Sequence, residues 1–388
     1  MYLSIDQPGL LHAVRLLGRV VPARATLPIL KNLLVTAEPG RVVLRASNVE
    51  LSVATALAAD VSAPGQVTIP SGPVAEWVAE LPAERLVVRL DPATQRVQAR
   101  CGRYTAQFAT VPVDEFPTLP TADPNTAVDL AAAPLRAAIR RVVFAAAPDD
   151  QRPALATVRL SLGPEGLALA ACDGFRLALA RAPGSGAGGE PWLVPAPALA
   201  QAAHLLDAAE AARLLVAPDG RALHLLAGST TLTALLVQAP YPDVDRLVPA
   251  AWRTRITVAC SDLERAVDAA RLFGRADSGH RVLLEAGAGS LHVCTPGDER
   301  GDATGALPTT LEGAAQSITV NARLLLQVLN AAETRDVALH WSDPHQPLVI
   351  REVGSRPRGS LPPDPGDLWL LMPLKNPATA AAATRAAA

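Results

Sequence analysis

Few side chains in this 388-residue sequence sit where covalent chemistry would need them. Asp262 and Glu264 form an Asp-x-Glu pair of the kind with which two-metal exonucleases hold divalent ions. Ser261 stands three residues before Glu264 and directly ahead of apolar Leu263, Ala266, Val267 and Ala270, so the pair reads as a capping box opening a helix. A magnesium-dependent 3'-to-5' exonuclease remains a rival resting on these two carboxylates alone. The run GSGAGG at 184–189 fits Gly-x-Gly-x-x-Gly, but Glu190, Pro191 and Trp192 lead into a strand where a dinucleotide site needs a helix N-terminus. Lysine occurs only at Lys31 and Lys375, neither behind a glycine-rich phosphate loop, which excludes a Walker-type NTPase. There is no HExxH and no GxSxG, and the seven histidines are scattered without ligand spacing. No catalytic residue, metal or cofactor is expected.

Arginine is the residue whose spacing carries information. A helix expected over 134–144 places Arg136 and Arg140 at i, i+4 with Arg141 beside them, opposite Leu135, Ile139 and Val142. Related helices offer Arg15 and Arg19 with Arg24 just beyond, then Arg265 and Arg271, then Arg323. One such stripe is an ordinary solvated face; its recurrence in equivalent helices points to a surface facing phosphates without reading bases. The 35 basic and 37 acidic residues nearly cancel, so bulk positive charge does not hold this chain on nucleic acid, and any such contact is local.

The elements that position these arginines follow from an internal repeat of about 125 residues. VTIPSGPVAEWVAEL at 67–81 returns as LVPAPALAQAAHLL at 193–206 and as ITVNARLLLQVL at 318–329, each a strand running into a helix. VVLRASN at 42–48 is echoed by LALAACD at 167–173 and LHVCTP at 291–296, and DEFPTLP at 114–120 by PYPDVDRLVP at 240–249. Boundaries therefore fall near 124 and 250, giving domains 1–124, 125–250 and 251–376 and an Ala-rich tail 377–388. Within the first domain, periods of two and 3.6 alternate, with helices expected at 8–20 and 72–81 and Pro or Gly at the reversals. Each domain thus reads as two copies of β-α-β-β-β, an α+β fold whose six helices form one set against antiparallel sheets. RPRGSLPPDPGD at 356–367 reads as an exposed loop before the final strand LWLLMPL.

Cys101, Cys172, Cys260 and Cys294 are far apart with no CxxC, which fits a reducing cytoplasm. The N-terminus MYLSIDQPGLLHAVRLLG has no basic start and is broken by Asp6, His12 and Arg15, so it does not read as a signal peptide, and no stretch reads as a membrane span.

Several of these segments together resemble the beta subunit of bacterial DNA polymerase III, the sliding-clamp family: RATLPILKNLLV at 24–35, FPTLP at 116–120, CDGFRLAL at 172–179, YPDVDRLVP at 241–249, VNARLLLQVLNA at 320–331 and LLMPL at 370–374. The resemblance covers essentially residues 1–376. It implies the clamp fold and a non-catalytic homodimeric ring, six domains around with helices lining a hole for double-stranded DNA. By similarity the ring tethers the replicative polymerase by encirclement and is opened by a clamp loader. It also implies a groove for short motifs from polymerase, loader and repair proteins, formed by Leu155, Cys172, Gly174, Phe175, Arg176, Leu177, Pro242, Arg246, Leu247, Asn321, Leu324, Leu371, Met372, Pro373 and Leu374. In that groove the apolar residues would bury a partner's Leu or Phe, with Arg176 and Arg246 at the border. Ala106 and Phe108 on an edge strand match one side of the subunit contact, and Leu272 and Phe273 the other. Arg24 and Arg152 match DNA-facing positions, joining Arg136, Arg140, Arg141, Arg265 and Arg323. Cys172 and Phe175 replace the more usual Thr and His, Asn48 an Asp and Leu324 an aromatic, and the chain runs on for twelve residues past 376. These departures suggest a specialised second-copy clamp with an altered groove as a further alternative.

Overall fold

Alternation in Tyr2–Asp6 buries Leu3 and Ile5 on one face of a strand, and the spacing of Leu10, Ala13, Val14 and Leu17 buries one stripe of the helix that follows. The same sequence of events occurs six times in the structure, a computed structural model that describes residues 1–25, 27–91, 93–118, 120, 122–148, 152–184, 186, 188–273, 280–298, 301–354 and 366–374. The first copy comprises β1 (Tyr2–Asp6), α1 (Gln7–Gly18), β2 (Asn32–Glu38), β3 (Arg41–Ser47) and β4 (Leu51–Ala58), followed by short β5 (Asp60–Ala63). The second is β6 (Gly65–Pro70), α2 (Ser71–Ala79), β7 (Arg85–Asp91), β8 (Arg96–Cys101) and β9 (Tyr104–Ala109). Next come β10 (Val128–Ala131), α3 (Ala132–Val142), β11 (Thr157–Gly163), β12 (Gly166–Cys172) and β13 (Arg176–Ala182), then β14 (Trp192–Pro195), α4 (Ala196–Leu205), β15 (Ala211–Val216), β16 (Ala222–Ala227) and β17 (Thr230–Leu235). The fifth copy is β18 (Thr254–Ala259), α5 (Cys260–Arg271), β19 (Arg281–Gly287), β20 (Ser290–Asp298) and β21 (Gly301–Pro308), with short β22 (Thr310–Gly313); the sixth is β23 (Ser317–Asn321), α6 (Ala322–Ala331), β24 (Asp336–Trp341), β25 (Leu348–Val353) and β26 (Leu368–Leu371). The repeated landmarks fall on equivalent elements: β6–α2, β14–α4 and β23–α6 for one, β3, β12 and β20 for another.

Two compact units hold these elements. One, residues 1–132 with 197–237, contains a five-stranded sheet ordered β5-β1-β7-β8-β9 and an eight-stranded sheet ordered β10-β15-β16-β17-β4-β3-β2-β6. The other, 133–196 with the described residues from 238 onward, contains a nine-stranded sheet ordered β14-β11-β12-β13-β26-β25-β24-β18-β22 and a four-stranded sheet ordered β21-β20-β19-β23. All pairings are antiparallel and, apart from those of the short β5 on β1 and β22 on β18, obey one rule. The three strands after a helix pair in order, and the opening strand of the companion copy adds beside the first of them: β6 on β2, β1 on β7, β14 on β11, β10 on β15, β23 on β19, β18 on β24. Third strands then join to each other, β4 to β17 and β13 to β26. Among the described residues β9 and β21 are the third strands left with a free edge.

The expected helix limits shift slightly. The helix expected at 134–144 spans Ala132–Val142, because Pro134 sits in the first turn, where its missing N–H has no intrahelical acceptor to lose. The capping box at Ser261 is not formed. Helix α5 starts two residues earlier than that cap would set it, at Cys260, with Ala259 as an N-cap that offers no side-chain hydrogen bond, so Ser261 lies inside the first turn. Asn321 is an N-cap: its Oδ1 accepts from the N–H groups of Arg323 at 2.9 Å and Leu324 at 3.3 Å. The glycine run at 184–189 leads to strand β14 and no helix follows it. The loop 356–365 and the tail lie outside the described residues.

At the β3–β4 turn Val49 has φ +82°, with its N–H donated to Ser47 Oγ at 3.1 Å and the Leu51 N–H donated to Asn48 Oδ1 at 2.8 Å. A β-branched residue is strained there, and its exposed side chain gains little burial in return. Val49→Gly is expected to raise stability by about 1 kcal/mol. A chemical-denaturation midpoint that falls in this variant would show that no strain is stored at the turn.

Candidate functional site

Leu155, Cys172 and Leu177 of the groove set lie on one face of the nine-stranded sheet, where Tyr241, Val244 and Val248 pack against them; Arg176 and Leu371, one residue out of step with Leu177 and Leu370, lie on the other face, and Asn321 and Leu324 belong to β23 and α6. Leu155, Ala170, Cys172, Leu177, Val244, Val349, Leu368 and Leu370 form a buried cluster against which Tyr241 and Val248 pack. Leu371 is buried too, paired with Arg176 on one side and Leu348 on the other, so it supports the floor rather than lining the opening. Above this floor Phe175 is 63% exposed, and Leu247 and Met372 are also exposed. Apolar side chains of this size left in water beside a closed apolar floor form a surface that gains free energy when a partner covers it.

The turn between β12 and β13 shapes one wall. Asp173 Oδ1 accepts from the N–H groups of Phe175 at 2.8 Å and Arg176 at 3.0 Å, and its Oδ2 accepts from Arg176 Nε at 3.0 Å. Gly174 adopts φ +93°, where a side chain would be strained and would also meet Arg152. The Met372 N–H donates to the Phe175 carbonyl at 2.8 Å and the Leu374 N–H to the Thr319 carbonyl at 2.8 Å, which fixes the segment Met372–Leu374 at both ends.

Arg176 is not at the border of the opening. It is buried, bonded to Asp173 and Gln327, and stacked over the Phe144 ring at 5.3 Å, so it braces the wall. Arg246 is exposed and paired with Asp243 at 2.8 Å, beside exposed Pro242. Leu324 is half-buried in the first turn of α6 and Asn321 is engaged in capping it.

Tyr241 carries more of the site than its sequence suggested. Its hydroxyl donates to the Ala170 carbonyl at 3.2 Å and accepts from Cys172 Sγ at 3.7 Å, while the Arg159 guanidinium lies 5.9 Å from its ring centroid. Burial raises both the phenol and the Cys172 thiol above their ordinary values, so both stay neutral floor groups. The clue available in the sequence was an aromatic residue opening the Pro-rich segment at 240–249.

Farther along the same face, past Val349, lies His340, 8% exposed, with its ring edge-on to Trp252 at 5.2 Å. Burial, then the positive charges of Arg255 and Arg351, push its pKa down to about 4 against the opposing pull of Glu312. The folded state therefore holds His340 neutral where the unfolded chain, with a pKa near 6.5, takes a proton. Its contribution to stability is intact above about pH 6.5 and falls by about 3 kcal/mol as pH drops toward 4. His340→Phe should flatten that part of the melting-temperature profile between pH 6.5 and 4; an unchanged slope would assign the acid sensitivity elsewhere.

The phosphate-facing arginines separate into two groups. Arg24 and Arg152 are exposed, Arg152 donating to the Asp173 carbonyl at 3.3 Å; Arg140 and Arg323 are exposed and Arg136 half-buried on their helices. Arg265 is exposed but bonded to Asp262 at 2.8 Å, which also occupies the carboxylate that the exonuclease rival needs. Arg141 is a correction: it is 3% exposed, facing away from the stripe, 2.5 Å from Glu333 and 3.4 Å from Glu352. Its place directly after Arg140 turns it about 100° around the helix into the interior. Phe108 likewise points inward, 9% exposed and edge-on to Trp77 at 5.8 Å, so the free edge of β9 presents backbone, Ala106 and Tyr104 rather than the Phe108 ring. Leu272 is 67% exposed just past α5, and Phe273 lies against the Gly301 end of β21.

Sequence comparison assigns all three parts of the chain. The N-terminal, central and C-terminal domains of the DNA polymerase III beta subunit match residues 1–120, 129–243 and 245–357. The beta sliding clamp of Synechococcus elongatus is 28% identical over 366 residues, covering 91% of this chain and 96% of that protein, and the beta sliding clamp of Caulobacter vibrioides is 27% identical over 383 residues, covering 97% and 100%. Among solved structures, the Bacillus subtilis DNA polymerase sliding clamp superposes with a TM-score of 0.88 at 22% identity over 97% of this chain and 99% of that one. A Caulobacter crescentus beta sliding clamp gives 0.86 at 26% identity over 97% and 100%. Three family domains matched in order, on a chain whose six copies obey one strand-pairing rule, place it in the DNA polymerase III beta subunit family.

Proposed function

We propose that the chain works as a DNA sliding clamp, two copies closing head to tail into a ring that encircles duplex DNA and tethers the replicative polymerase. The observation that carries this is the pairing rule: third strands join third strands at β4–β17 and β13–β26, which leaves β9 and β21 to meet in a second copy. A five-stranded and a four-stranded half-sheet joined there would make nine strands, the number in the complete sheet β14 to β22. The three domains are taken as 1–124, 125–250 and 251–376. In the ring Arg24, Arg136, Arg140, Arg152, Arg265 and Arg323 face phosphates without making or breaking bonds, and cytoplasm is the compartment. None of the described helices is long and apolar enough to cross a membrane.

Loading onto a nicked circular plasmid by clamp loader and ATP tests encirclement. Retention is expected on the circle and loss within the time needed to slide off once a restriction enzyme linearises it. Retention that ignores linearisation would mean chemical rather than topological holding.

The groove is read as the docking site for short motifs of polymerase, loader and repair proteins. Met372→Ala should weaken an apolar-anchored partner peptide by about 10- to 100-fold while leaving the dimer intact, since it removes one of three exposed apolar rim groups. Unchanged affinity, read by fluorescence polarisation, would move the docking site elsewhere. Exposed Phe175 beside the thiol floor of Cys172 supports the second reading, a specialised clamp with an altered motif preference. Tight binding of the host polymerase's own peptide would remove it.

A further inference from the structure

Beyond Val248 and Val349, which both pack in the groove cluster, the outer face of the nine-stranded sheet encloses a second cavity of about 130 Å³. Trp252, Pro249 and Pro347 give it flat apolar walls, and His340 and Arg351 give it polar ones. The imidazole Nε2 of His340 is buried there with no hydrogen-bond partner among the described residues. A purely apolar occupant would leave that nitrogen desolvated and unpaired. A cation would meet Arg351 in the wall and Arg255, which lies directly across from His340 in the β18–β24 register. We propose that this cavity is an additional subsite of the partner groove and takes a carboxylate side chain, Asp or Glu, carried by the same peptide beyond its apolar anchor.

The proposal rests on the groove reading above and adds a chemical requirement to it. Continuity comes from Val248 and Val349, which belong to both the groove cluster and the cavity wall. Charge complementarity comes from the arginines: Arg255 is offset by Glu312 at 3.1 Å and Arg351 feels Asp367, yet the field at His340 still disfavours its positive form. A carboxylate placed there accepts from the His340 N–H tautomer and screens both guanidinium groups. The half-exposed indole of Trp252 supplies a flat surface for the methylene stem.

Two peptides test it, each with a central Leu-Phe anchor and differing only in whether the flanking residues are Glu or Gln. On the unaltered protein at physiological salt the Glu peptide is expected to bind about tenfold more tightly. That preference should vanish in Arg351→Gln and in Trp252→Leu, the second an exposed position that spares the fold, while Met372→Ala should weaken both peptides equally. Equal affinity of the two peptides for the unaltered protein overturns the subsite and leaves the groove standing. A preference that survives both cavity variants overturns it as well, tracing the effect to the general field of Arg152 and Arg246. Should neither peptide bind, the groove reading fails, and benzoate decides the subsite alone. A saturable benzoate-induced shift of the His340 ring resonance, absent with benzamide, supports it; no shift means a cavity that holds only water.

Discussion

Arg141→Ala should lower the stability of the unit that contains it by about 3–5 kcal/mol, more than any single truncation at the surface. Arg141 lies at the end of α3 and reaches Glu333 at 2.5 Å and Glu352 at 3.4 Å, both contributed by the last copy of the repeat. Glu352 also accepts from the backbone N–H groups of Glu333 at 2.5 Å and Thr334 at 3.2 Å, and Trp369 Nε1 donates to the Arg141 carbonyl at 2.9 Å. Removing the guanidinium takes the Arg141 charge away from a Glu352 carboxylate whose side chain is closed to water. The cost is the desolvation that this buried charge then carries with less compensation, more than the lost attraction itself. The double variant Arg141→Met with Glu352→Gln keeps an acceptor for both N–H groups and removes the buried charge, so it should recover most of the loss. A double variant no more stable than Arg141→Ala would show that packing, not charge, is what Arg141 contributes. Because Trp369 belongs to β26, the strand that leads into Met372, the single variant should also loosen the groove and weaken peptide binding.

How much of this was legible beforehand depends on range. The repeat, the β-α-β-β-β order and the apolar stripe of α3 come from periods of two and 3.6, which are local and survive in any single sequence. Arg140 and Arg141 show the limit. Both follow the same stripe, yet a one-residue step turns the side chain from solvent to interior, and only the position of Glu352, more than 200 residues away, decides that it can stay there charged. Ser261 failed for a similar reason. Its spacing to Glu264 suits a cap, but β18 pairs with β24 through Ala259, and Asp262 takes Arg265 as its partner, so the helix begins before the serine. Of the groove residues, Leu155, Cys172 and Leu177 pack into one buried cluster, while Arg176 and Leu371 lie on the other side of the sheet and Asn321 and Leu324 belong to β23 and α6. The division between those that form floor, brace and rim was not readable, because Phe175 sits in the turn that Asp173 holds ahead of β13, whereas Leu177, two residues on, lies inside the sheet between Cys172 and Leu370. Tyr241 was missed because its partners, Ala170 and Cys172, are brought beside it by sheet pairing and not by spacing.

Phe273→Glu should convert the dimer to monomer at micromolar concentration and abolish retention on circular DNA. Phe273 lies against the Gly301 end of β21, beside Leu272, whose side chain is largely in water. On the facing edge, β9 offers unpaired backbone groups with Ala106 and exposed Tyr104, while Phe108 stays in its own core. Closing the ring would therefore couple a strand-to-strand ladder to one small apolar cluster, and the ladder alone, open to water at both ends, adds little. The energy must come from burying Leu272 and Phe273, about 2 kcal/mol each by area. A carboxylate at Phe273 removes one of those terms and adds an unpaired charge, so the dissociation constant should rise at least about 100-fold. Leu27→Glu, a comparable loss of exposed apolar surface far from both edges in sequence, should leave the dimer unchanged and serves as the control. Mass measurement by light scattering across a dilution series reads both. A Phe273→Glu protein that stays dimeric would mean that the edges of β9 and β21 do not meet, and with them the ring would have to close through some other surface.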